Sequence, residues 1–268
     1  MKLSIITINY NNRGGLERTA KSIVDQSFRD FEWIVVDGGS DDGSTDILKQ
    51  YASYITWSVS EPDGGIYEAM NKGLERAKGE YVQFLNSGDS FIDESVLEKV
   101  FANEKLADVN YGDQWCILDG SIIEKRTYPD NIDIIYLFRN PLGHQASFIR
   151  TSLAKKHPYR QKYSISADRA FFFELYLSEA SFHHLPFPIV FFDTGGIGSS
   201  NNTFEQRRIQ LQQIKEDLFS IRVAEDIEKL ISKSEEFDFV MRISPLRWTY
   251  YLFKRLQKIN YKLRWNTH

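Results

Sequence analysis

The sequence has few cysteines, no long apolar run and little net charge, and each shortage excludes a class of protein. Its 268 residues include one cysteine, Cys116, which excludes an internal disulfide and a cysteine-rich metal site. No apolar run approaches the roughly 20 residues that span a bilayer. The start of the chain, from Met1, has no signal-peptide pattern. The net charge of −4 does not favour a nucleic-acid partner. We therefore expect a cytoplasmic globular protein.

The composition supplies ample material for a core, since 42% of the residues are hydrophobic and 14% are aromatic. In the first hundred residues, apolar β-branched segments alternate with segments that have helical apolar spacing. This alternation predicts an α/β fold with a parallel sheet and right-handed crossovers. The predicted strands are 3–8, 31–36, 55–60 and 81–85, and the predicted helices are 16–26, 47–54 and 66–77.

The pattern changes after about residue 95. Residues 108–125 form short strand-like pieces around Asp119-Gly120, which predicts a hairpin. A strand is expected at 143–149, a helix from 166–168 onward, and a helix at 204–218. The segment 182–192 is strand-like but interrupted by two prolines. We therefore expect an α/β half (1–105), a mixed half (106–202) and a helical C-terminal extension (203–268).

Each of the four predicted parallel strands is followed by a turn rich in amides or carboxylates. The turns contain Asn9–Asn12, residues 37–42, Asp63 and Asp89. Any one of them is explained by ordinary turn and capping chemistry. Four such turns on one edge of the sheet, which we call the rim, suit a site that binds sugar hydroxyls and a base. Such a site also holds a divalent cation against phosphates. Neither a G-x-G-x-x-G fingerprint nor a P-loop is present.

The rim segments carry four motifs that resemble those of the family 2 glycosyltransferases, which have the GT-A fold. The resemblance is specific over about residues 1–95, looser over 96–202 and absent from the C-terminal extension. The third and fourth motifs resemble a subgroup that is frequent in bacterial surface-polysaccharide gene clusters. The motifs are SIITINYN (4–11), VVDGGSDDGS (35–44), EPDGGIYEAMNKG (61–73) and LNSGD (85–89).

The resemblance implies a binding site for a nucleotide-sugar donor. Asp37 would bind the base or the ribose, Asp63 the nucleotide sugar, and Lys72 a phosphate. The residues implied in substrate binding on this rim are Asn9, Tyr10, Asn11, Asp37, Gly38, Ser40, Asp63, Lys72, Ser87 and Gly88.

The resemblance also implies a Mn²⁺ or Mg²⁺ ion at Asp89, the last acidic residue of the family's DxD motif. The sequence departs from that motif, because Ser87 stands where the first aspartate usually is. Two alternatives follow. Either Asp89 suffices together with phosphates and water, or the metal is bound weakly.

Asp168 matches the position of the family's catalytic base, although the usual Glu-Asp pair is Ala167-Asp168 here. An inverting transferase needs one general base to take the proton of the acceptor hydroxyl. The alternative is a first-turn carboxylate favoured by the helix dipole. His144 and Gln145 lie between the two halves, where they would bind acceptor hydroxyls. A purely structural histidine is the alternative there.

Two further segments have two interpretations each. The Gly-, Ser- and Asn-rich loop 193–202 is either a lid over the donor or an ordinary connection. Residues 242–265 contain seven Lys or Arg residues, many aromatic residues and no acidic residue. Such a segment either lies on an anionic membrane surface or packs on the domain with a solvated basic face.

The resemblance leads us to expect a GT-A glycosyltransferase domain over residues 1–202. Its mainly parallel central sheet would be flanked by helices and followed by the helical extension. The enzyme, of the hexosyltransferase type, would move a sugar from a nucleotide donor to a saccharide or lipid-linked saccharide, with inversion. It would act in cell-surface polysaccharide biosynthesis, in the cytoplasm or peripherally on the inner face of the membrane. The alternatives are a non-catalytic nucleotide-sugar-binding partner in a polysaccharide complex and a sugar nucleotidyltransferase.

Overall fold

A mixed β-sheet with helices packed against it is the main feature of the fold. This computed structural model describes residues 1–102, 106–195 and 204–243. Two compact units are distinguished, Met1–Ile214 and Lys215–His268. The sheet belongs to the first unit. Its strands in the described residues are β1 (Leu3–Asn9), β2 (Phe31–Asp37), β3 (Trp57–Ser60), β4 (Tyr81–Phe84), β5 (Ser90–Phe91), β6 (Val109–Leu118), β7 (Ser121–Arg126), β8 (Ser147–Arg150) and β9 (Phe182–Asp193).

The first four strands form the parallel part of the sheet, in the order β3-β2-β1-β4. This arrangement confirms the predicted succession of parallel strands. All seven residues of β1 are buried, since the strand has a neighbour on each side and helices cover the sheet. Because parallel strands end at the same edge, Asn9, Asp37 and Ser60 lie side by side in register.

The connecting helices agree with the predicted ones to within a few residues at their ends. The first begins earlier than predicted, at Arg13, because the Asn12 side chain caps it by accepting the N–H of Gly15. The described helices are α1 (Arg13–Val24), α2 (Ser44–Gln50), α3 (Ile66–Arg76), α4 (Val96–Phe101), α5 (Ile134–Arg139), α6 (Thr151–Lys156), α7 (Ala167–Leu177), α8 (Phe204–Leu218) and α9 (Ile221–Ile243).

The second half of the sheet is largely antiparallel, with one parallel pair, β6 and β9. The predicted hairpin around Asp119-Gly120 is β6 and β7. The interruption predicted at the prolines of 182–192 does not divide the strand β9. It lies in the pairing with β6, which shifts register from Leu185 to Pro188 and again from Pro188 to Val190. A bulge therefore accommodates the prolines.

The strand expected at 143–149 is shorter than predicted. Residues His144–Ala146 form one 3₁₀ turn, and the strand β8 begins at Ser147. The backbone N–H of Ala146 and the Ser147 hydroxyl both bond the carbonyl of Gly143. These two bonds fold the polar corner tightly, so His144 and Gln145 lie in a turn ahead of the strand.

The second unit contains the end of α8 and the described helix α9. An ion pair between Lys215 and Glu228, at 2.9 Å, connects these helices within the unit. Among the described helices, none is both long enough and apolar enough to cross a membrane. The basic segment 242–265 lies almost wholly outside the described residues, and so does most of the loop 193–202.

Candidate functional site

The turns after β1 and β2 form a network of hydrogen bonds around the carboxylate of Asp37. The side chain of Asn9 donates to Asp37 Oδ1 at 2.7 Å. The hydroxyls of Ser40 and Ser60 donate to the same carboxylate at 2.6 Å each. Burial alone would raise the pKa of Asp37, but these hydrogen bonds outweigh it and hold the pKa below its usual range. The rim therefore carries a buried, ionised carboxylate.

Tyr10 and Asp63 lie close to Gly38, the residue that follows this carboxylate. Tyr10 is 62% exposed, and the N–H of Asn11 donates to Ser40 Oγ at 2.8 Å. A methyl group at Gly38 would lie 3.0 Å from Asp63 Oδ2 and 3.1 Å from Tyr10 Cδ2. Asn9 Oδ1 is buried without a hydrogen-bond partner. The structure thus brings predicted residues of the first three turns close together.

Asp89 ends the fourth turn, and its side chain is buried. The residue is 4% exposed, and its Oδ1 accepts the backbone N–H of Asp193 at 3.0 Å. Burial raises the pKa of Asp89 to about 8, against the opposing effects of that hydrogen bond and of Arg18. A cation or another positive group that approaches Asp89 therefore favours its ionised form.

Arg18 and Thr19 of α1 form hydrogen bonds with this turn. Arg18 donates to the carbonyl of Gly88 at 3.1 Å and to Asp193 Oδ2 at 2.5 Å. The Thr19 hydroxyl donates to the carbonyl of Asp89 at 2.6 Å and accepts the N–H of Gly88 at 3.0 Å. These contacts hold the backbone of the turn that carries Asp89.

The residues around Asp89 bear on whether a divalent cation fits. Ser87 donates its hydroxyl to the carbonyl of Asn12 at 3.2 Å, and Asp193 is paired with Arg18. Among the described residues, no group of three or more His, Cys, Asp or Glu side chains forms a metal site. Mg²⁺ in phosphoryl sites is commonly bound by one or two carboxylates together with substrate phosphates and water. Asp89 is thus the one carboxylate of this turn that is not paired with a cationic side chain among the described residues, and its binding of a cation shared with a diphosphate stays a prediction.

Asp168 lies in the first turn of α7 and is half-buried. The Tyr67 hydroxyl is 3.3 Å from Asp168 Oδ1 and 2.9 Å from the carbonyl of Ile165. His144 is within electrostatic range of Asp168: burial lowers the pKa of His144, and the Asp168 charge partly opposes that effect. His144 Nε2 also lies 3.2 Å from the Asn86 side-chain nitrogen. His144 therefore connects the turn of Asp89 with the surroundings of Asp168.

Two other predicted residues have contacts that bear on their roles. Lys72 Nζ is 2.8 Å from Glu61 Oε1, an ion pair that raises the pKa of Lys72. Its contact with a donor phosphate stays a prediction. Gln145 is buried, and its carbonyl accepts the side-chain N–H of Gln83 at 2.7 Å. Its backbone thus ties the corner to β4, and a contact of its side chain with an acceptor stays a prediction.

Residues that the sequence alone did not single out complete the surroundings. Arg18, Thr19 and Asp193 support Asp89, whereas Tyr67 and Asn71 contact the segment that carries Asp168. Thr19 had a signal, because it is a polar residue beside the apolar stripe of α1. Arg18 and Asp193 had none, since they meet only through the tertiary fold, 175 positions apart.

A family model described as Glycosyl transferase family 2 matches residues 4–179 of the chain. An uncharacterized glycosyltransferase of Mycobacterium tuberculosis is 35% identical over 176 residues, which are 63% of this chain and 66% of that relative. The putative teichuronic acid biosynthesis glycosyltransferase TuaG of Bacillus subtilis is 45% identical over 92 residues, 33% of this chain and 36% of that protein. The chain thus matches just under two thirds of the first relative's length.

Solved structures share the fold at low sequence identity. The S. aureus TarS 1–349 complex with UDP-GlcNAc has a TM-score of 0.64 and 21% identity, covering 85% of this chain and 70% of TarS 1–349. The mannosyltransferase PcManGT from Pyrobaculum calidifontis, in complex with GDP-Man and Mn²⁺, has a TM-score of 0.58 and 13% identity. That likeness covers 97% of this chain and 81% of PcManGT.

Proposed function

The chain belongs to glycosyl transferase family 2 and has the GT-A fold, and on that premise we propose that it transfers a sugar from a nucleotide-sugar donor to a saccharide acceptor. The observation that carries the proposal is the rim itself. Asn9, Asp37 and Ser40 form a preorganised polar pocket beside Asp63. Hydrogen-bonding groups of this kind, placed beyond the ends of parallel strands, are where α/β folds bind nucleotides.

The first donor to test is a UDP-sugar. The S. aureus TarS structures contain UDP and UDP-GlcNAc, and their likeness covers 92% and 85% of this chain. In this proposal the base and ribose donate N–H or O–H groups to the ionised Asp37 and the unpartnered Asn9 Oδ1 once the turns that bury these two side chains move aside. A donor sugar would then point from the rim toward the side of Asp168.

The proposed reaction is a single displacement with inversion. Asp168 takes the proton of the acceptor hydroxyl as its oxygen attacks the anomeric carbon of the donor sugar. The bond from that carbon to the diphosphate oxygen breaks, and the nucleoside diphosphate leaves with the electron pair. Asp89 would hold the Mn²⁺ or Mg²⁺ ion, and such an ion neutralises charge on the departing diphosphate.

The acceptor is proposed from the relatives' names and from the corner between the two halves. TuaG is named for teichuronic acid biosynthesis, and a relative in Mycobacterium bovis is named a PGL/p-HBAD biosynthesis glycosyltransferase. These names support a saccharide or lipid-linked saccharide of the cell surface as the acceptor. His144 is buried, lies within electrostatic range of Asp168 and contacts Asn86. A neutral imidazole there would orient an acceptor hydroxyl.

A second candidate function is a non-catalytic partner that binds the nucleotide sugar. It is favoured by Ser87, whose hydroxyl bonds Asn12 where the motif usually has a carboxylate. Such a protein would bind the nucleotide without hydrolysing or transferring the sugar. A sugar nucleotidyltransferase would be identified by release of pyrophosphate in place of a nucleoside diphosphate.

The test is the melting temperature with UDP, GDP, CDP and dTDP, with and without Mn²⁺, followed by product analysis. A ligand that binds only the native state raises the melting temperature with its occupancy. We expect one nucleotide to give a shift that Mn²⁺ enlarges, and Asp89→Asn to lose the part due to Mn²⁺. Asp93→Asn is the matched control, because Asp93 is an exposed carboxylate paired with Lys99. No shift with any nucleotide would contradict the proposal.

A further inference from the structure

Two residues of the third motif contact the segment that carries Asp168. Tyr67 and Asn71 lie one helical turn apart in α3. The Asn71 side chain donates to the carbonyl of Tyr159 at 2.8 Å and accepts the N–H of Tyr159 at 2.9 Å. The Tyr67 hydroxyl reaches the carbonyl of Ile165 and Asp168 Oδ1 at the other end of the segment. One face of α3 thus anchors residues 159–168 at both ends.

The Tyr67 hydroxyl is available only as a hydrogen-bond donor to these partners. The residue is 7% exposed. Burial, and next the negative charge of Asp168, raise the pKa of Tyr67 well above its usual range. The hydroxyl therefore stays protonated at every working pH. Its single proton is shared between a carbonyl at 2.9 Å and a carboxylate oxygen at 3.3 Å.

We propose that Tyr67 is a positioning residue for the base: its hydroxyl aims the Asp168 carboxylate and stabilises its ionised form. The inference rests on the proposed function, in which Asp168 accepts the proton of the attacking hydroxyl. A hydrogen bond to a carboxylate is stronger than one to the neutral acid. When Asp168 becomes protonated, the Tyr67 hydroxyl keeps the Ile165 carbonyl as its partner. The step therefore leaves no buried donor unsatisfied.

The other charged and titratable groups near Asp168 lie on different elements. His144 precedes β8, and its burial lowers its pKa. Arg169, the next residue of α7, donates to the carbonyl of Leu137 at 2.6 Å. The Tyr159 hydroxyl is buried without a hydrogen-bond partner and feels the charge of Asp168. Because neither His144 nor Arg169 is changed, a comparison of Tyr67→Phe with Tyr159→Phe separates the effect of the Tyr67 hydroxyl from theirs.

Tyr159 provides the matched control. Its ring stacks on that of Tyr67 with a centroid distance of 5.4 Å, so both residues belong to one aromatic stack. Tyr159→Phe removes a buried hydroxyl from this stack without removing a hydrogen bond. Tyr67→Phe removes a hydroxyl of the same kind together with its bonds to Ile165 and Asp168.

The experiment measures UDP release from UDP-GlcNAc with Mn²⁺ and water as the acceptor, from pH 5 to 9, on the full chain. We expect Tyr67→Phe to lower kcat about tenfold with KM within twofold, because one charge-assisted hydrogen bond is lost. The acid limb of the pH profile should move to higher pH than in wild type, since the ionised carboxylate loses a donor. Tyr159→Phe should stay within twofold of wild type at every pH.

Asp168→Asn and the double variant complete the test. In the Asp168→Asn background, Tyr67→Phe should have no further effect on kcat, because the two residues act as a unit. The inference would be overturned if Tyr67→Phe and Tyr159→Phe had the same pH profile. It would also be overturned if Tyr67→Phe lowered kcat equally in the wild-type and Asp168→Asn backgrounds. If Asp168→Asn kept wild-type turnover, Asp168 would not be the general base. The positioning role of Tyr67 would then be wrong as well. If Tyr67→Phe kept wild-type activity while Asp168→Asn was inactive, the inference would be overturned and the proposed function would stand.

Discussion

Asp37 is a fully buried carboxylate at the end of a parallel strand, and its charge is stabilised by short hydrogen bonds from neutral groups. Burying a charge is costly unless its hydrogen bonds are satisfied. The donors come from three separate turns, so the carboxylate also fixes the turns relative to one another. Asn9 and Ser60 reach it because β1, β2 and β3 end in register.

Asp37→Asn should lower stability at neutral pH. The amide replaces one accepting oxygen with a donor that faces other donors, which should lower the melting temperature by about 5 °C. The folded-state pKa of Asp37 is depressed, so its stabilisation is present above the unfolded value and is lost as the pH falls through the folded value. The difference in the free energy of unfolding between Asp37→Asn and wild type should persist at pH 5 and become smaller only below about pH 4.

Urea unfolding at pH 7, 5 and 3.5 measures this difference. Asp41→Asn, a change at an exposed neighbour in the same turn, is the control and should match wild type at each pH. If the difference in unfolding free energy between Asp37→Asn and wild type increased as the pH fell, the depressed pKa of Asp37 would be contradicted.

Gly38→Ala tests the close approach of Tyr10 and Asp63 to Gly38. The new methyl group would lie about 3 Å from both side chains, which must therefore shift. Gly38 does not have a positive φ, so backbone strain is not introduced. We expect UDP affinity, measured by calorimetry, to fall about tenfold, with the melting temperature nearly unchanged. Unchanged affinity would place the nucleotide elsewhere.

At the scale of elements, α3 combines three tasks. Its N-terminus follows the turn of Asp63, one face packs on the sheet, and another anchors the segment before α7. The packing on β1 is close, because a methyl group at Gly73 would lie 2.5 Å from Ile6 Cγ2. A glycine at this position lets the helix approach the buried strand.

Gly73→Ala should therefore destabilise the protein by about 1–3 kcal/mol, the usual cost of overpacking a core. Gly14→Ala is the matched control, because Gly14 is also helical and a methyl group there would meet no atom within 4 Å. The control should be neutral or stabilising by up to about 1 kcal/mol, since alanine favours helices. Chemical unfolding measures both, and equal effects would contradict the close packing of α3.

At the scale of the whole molecule, the candidate site combines contributions from both halves of the first unit. The rim residues come from the parallel strands, whereas Asp168 and His144 come from the mixed half. The 3.2 Å contact between Asn86 and His144 and the contacts of Tyr67 and Asn71 join these halves. Their relative position is therefore set by polar contacts as well as by the continuous sheet.

The basic segment 242–265 leads to a prediction for the full chain. Its seven Lys and Arg residues without an acidic residue should bind vesicles that contain phosphatidylglycerol, and binding should weaken as salt screens the charges. Co-sedimentation at about 50 and 500 mM salt measures this effect. Neutral phosphatidylcholine vesicles and the variant Lys254→Gln/Arg255→Gln/Lys258→Gln are the controls. Equal binding to both vesicle types would contradict the electrostatic interpretation.

The sequence alone was enough to predict the parallel half of the fold and the polar turns beyond its strands. The strands and helices there have strong periodicity. Asn9 and Asp37 end β1 and β2, and Asp63 and Asp89 lie in the turns that follow β3 and β4. Parallel strands end on one edge, so local order along the chain was enough to predict that the turns would lie near one another. The bulge in β9 was missed, because prolines suggest an interruption when the partner strand is unknown.

The groups that support the candidate site could be identified only from the folded chain. Arg18 meets Asp193, and Tyr67 meets Asp168, across 175 and 101 positions of the chain. Periodicity reports which face of an element is apolar, but it carries no information about which distant polar group that face meets. The burial of Asp89, and hence its raised pKa, likewise depends on Asp193 and on helix α1 packed against its turn. Such long-range contacts exist only once the sheet has brought the elements together.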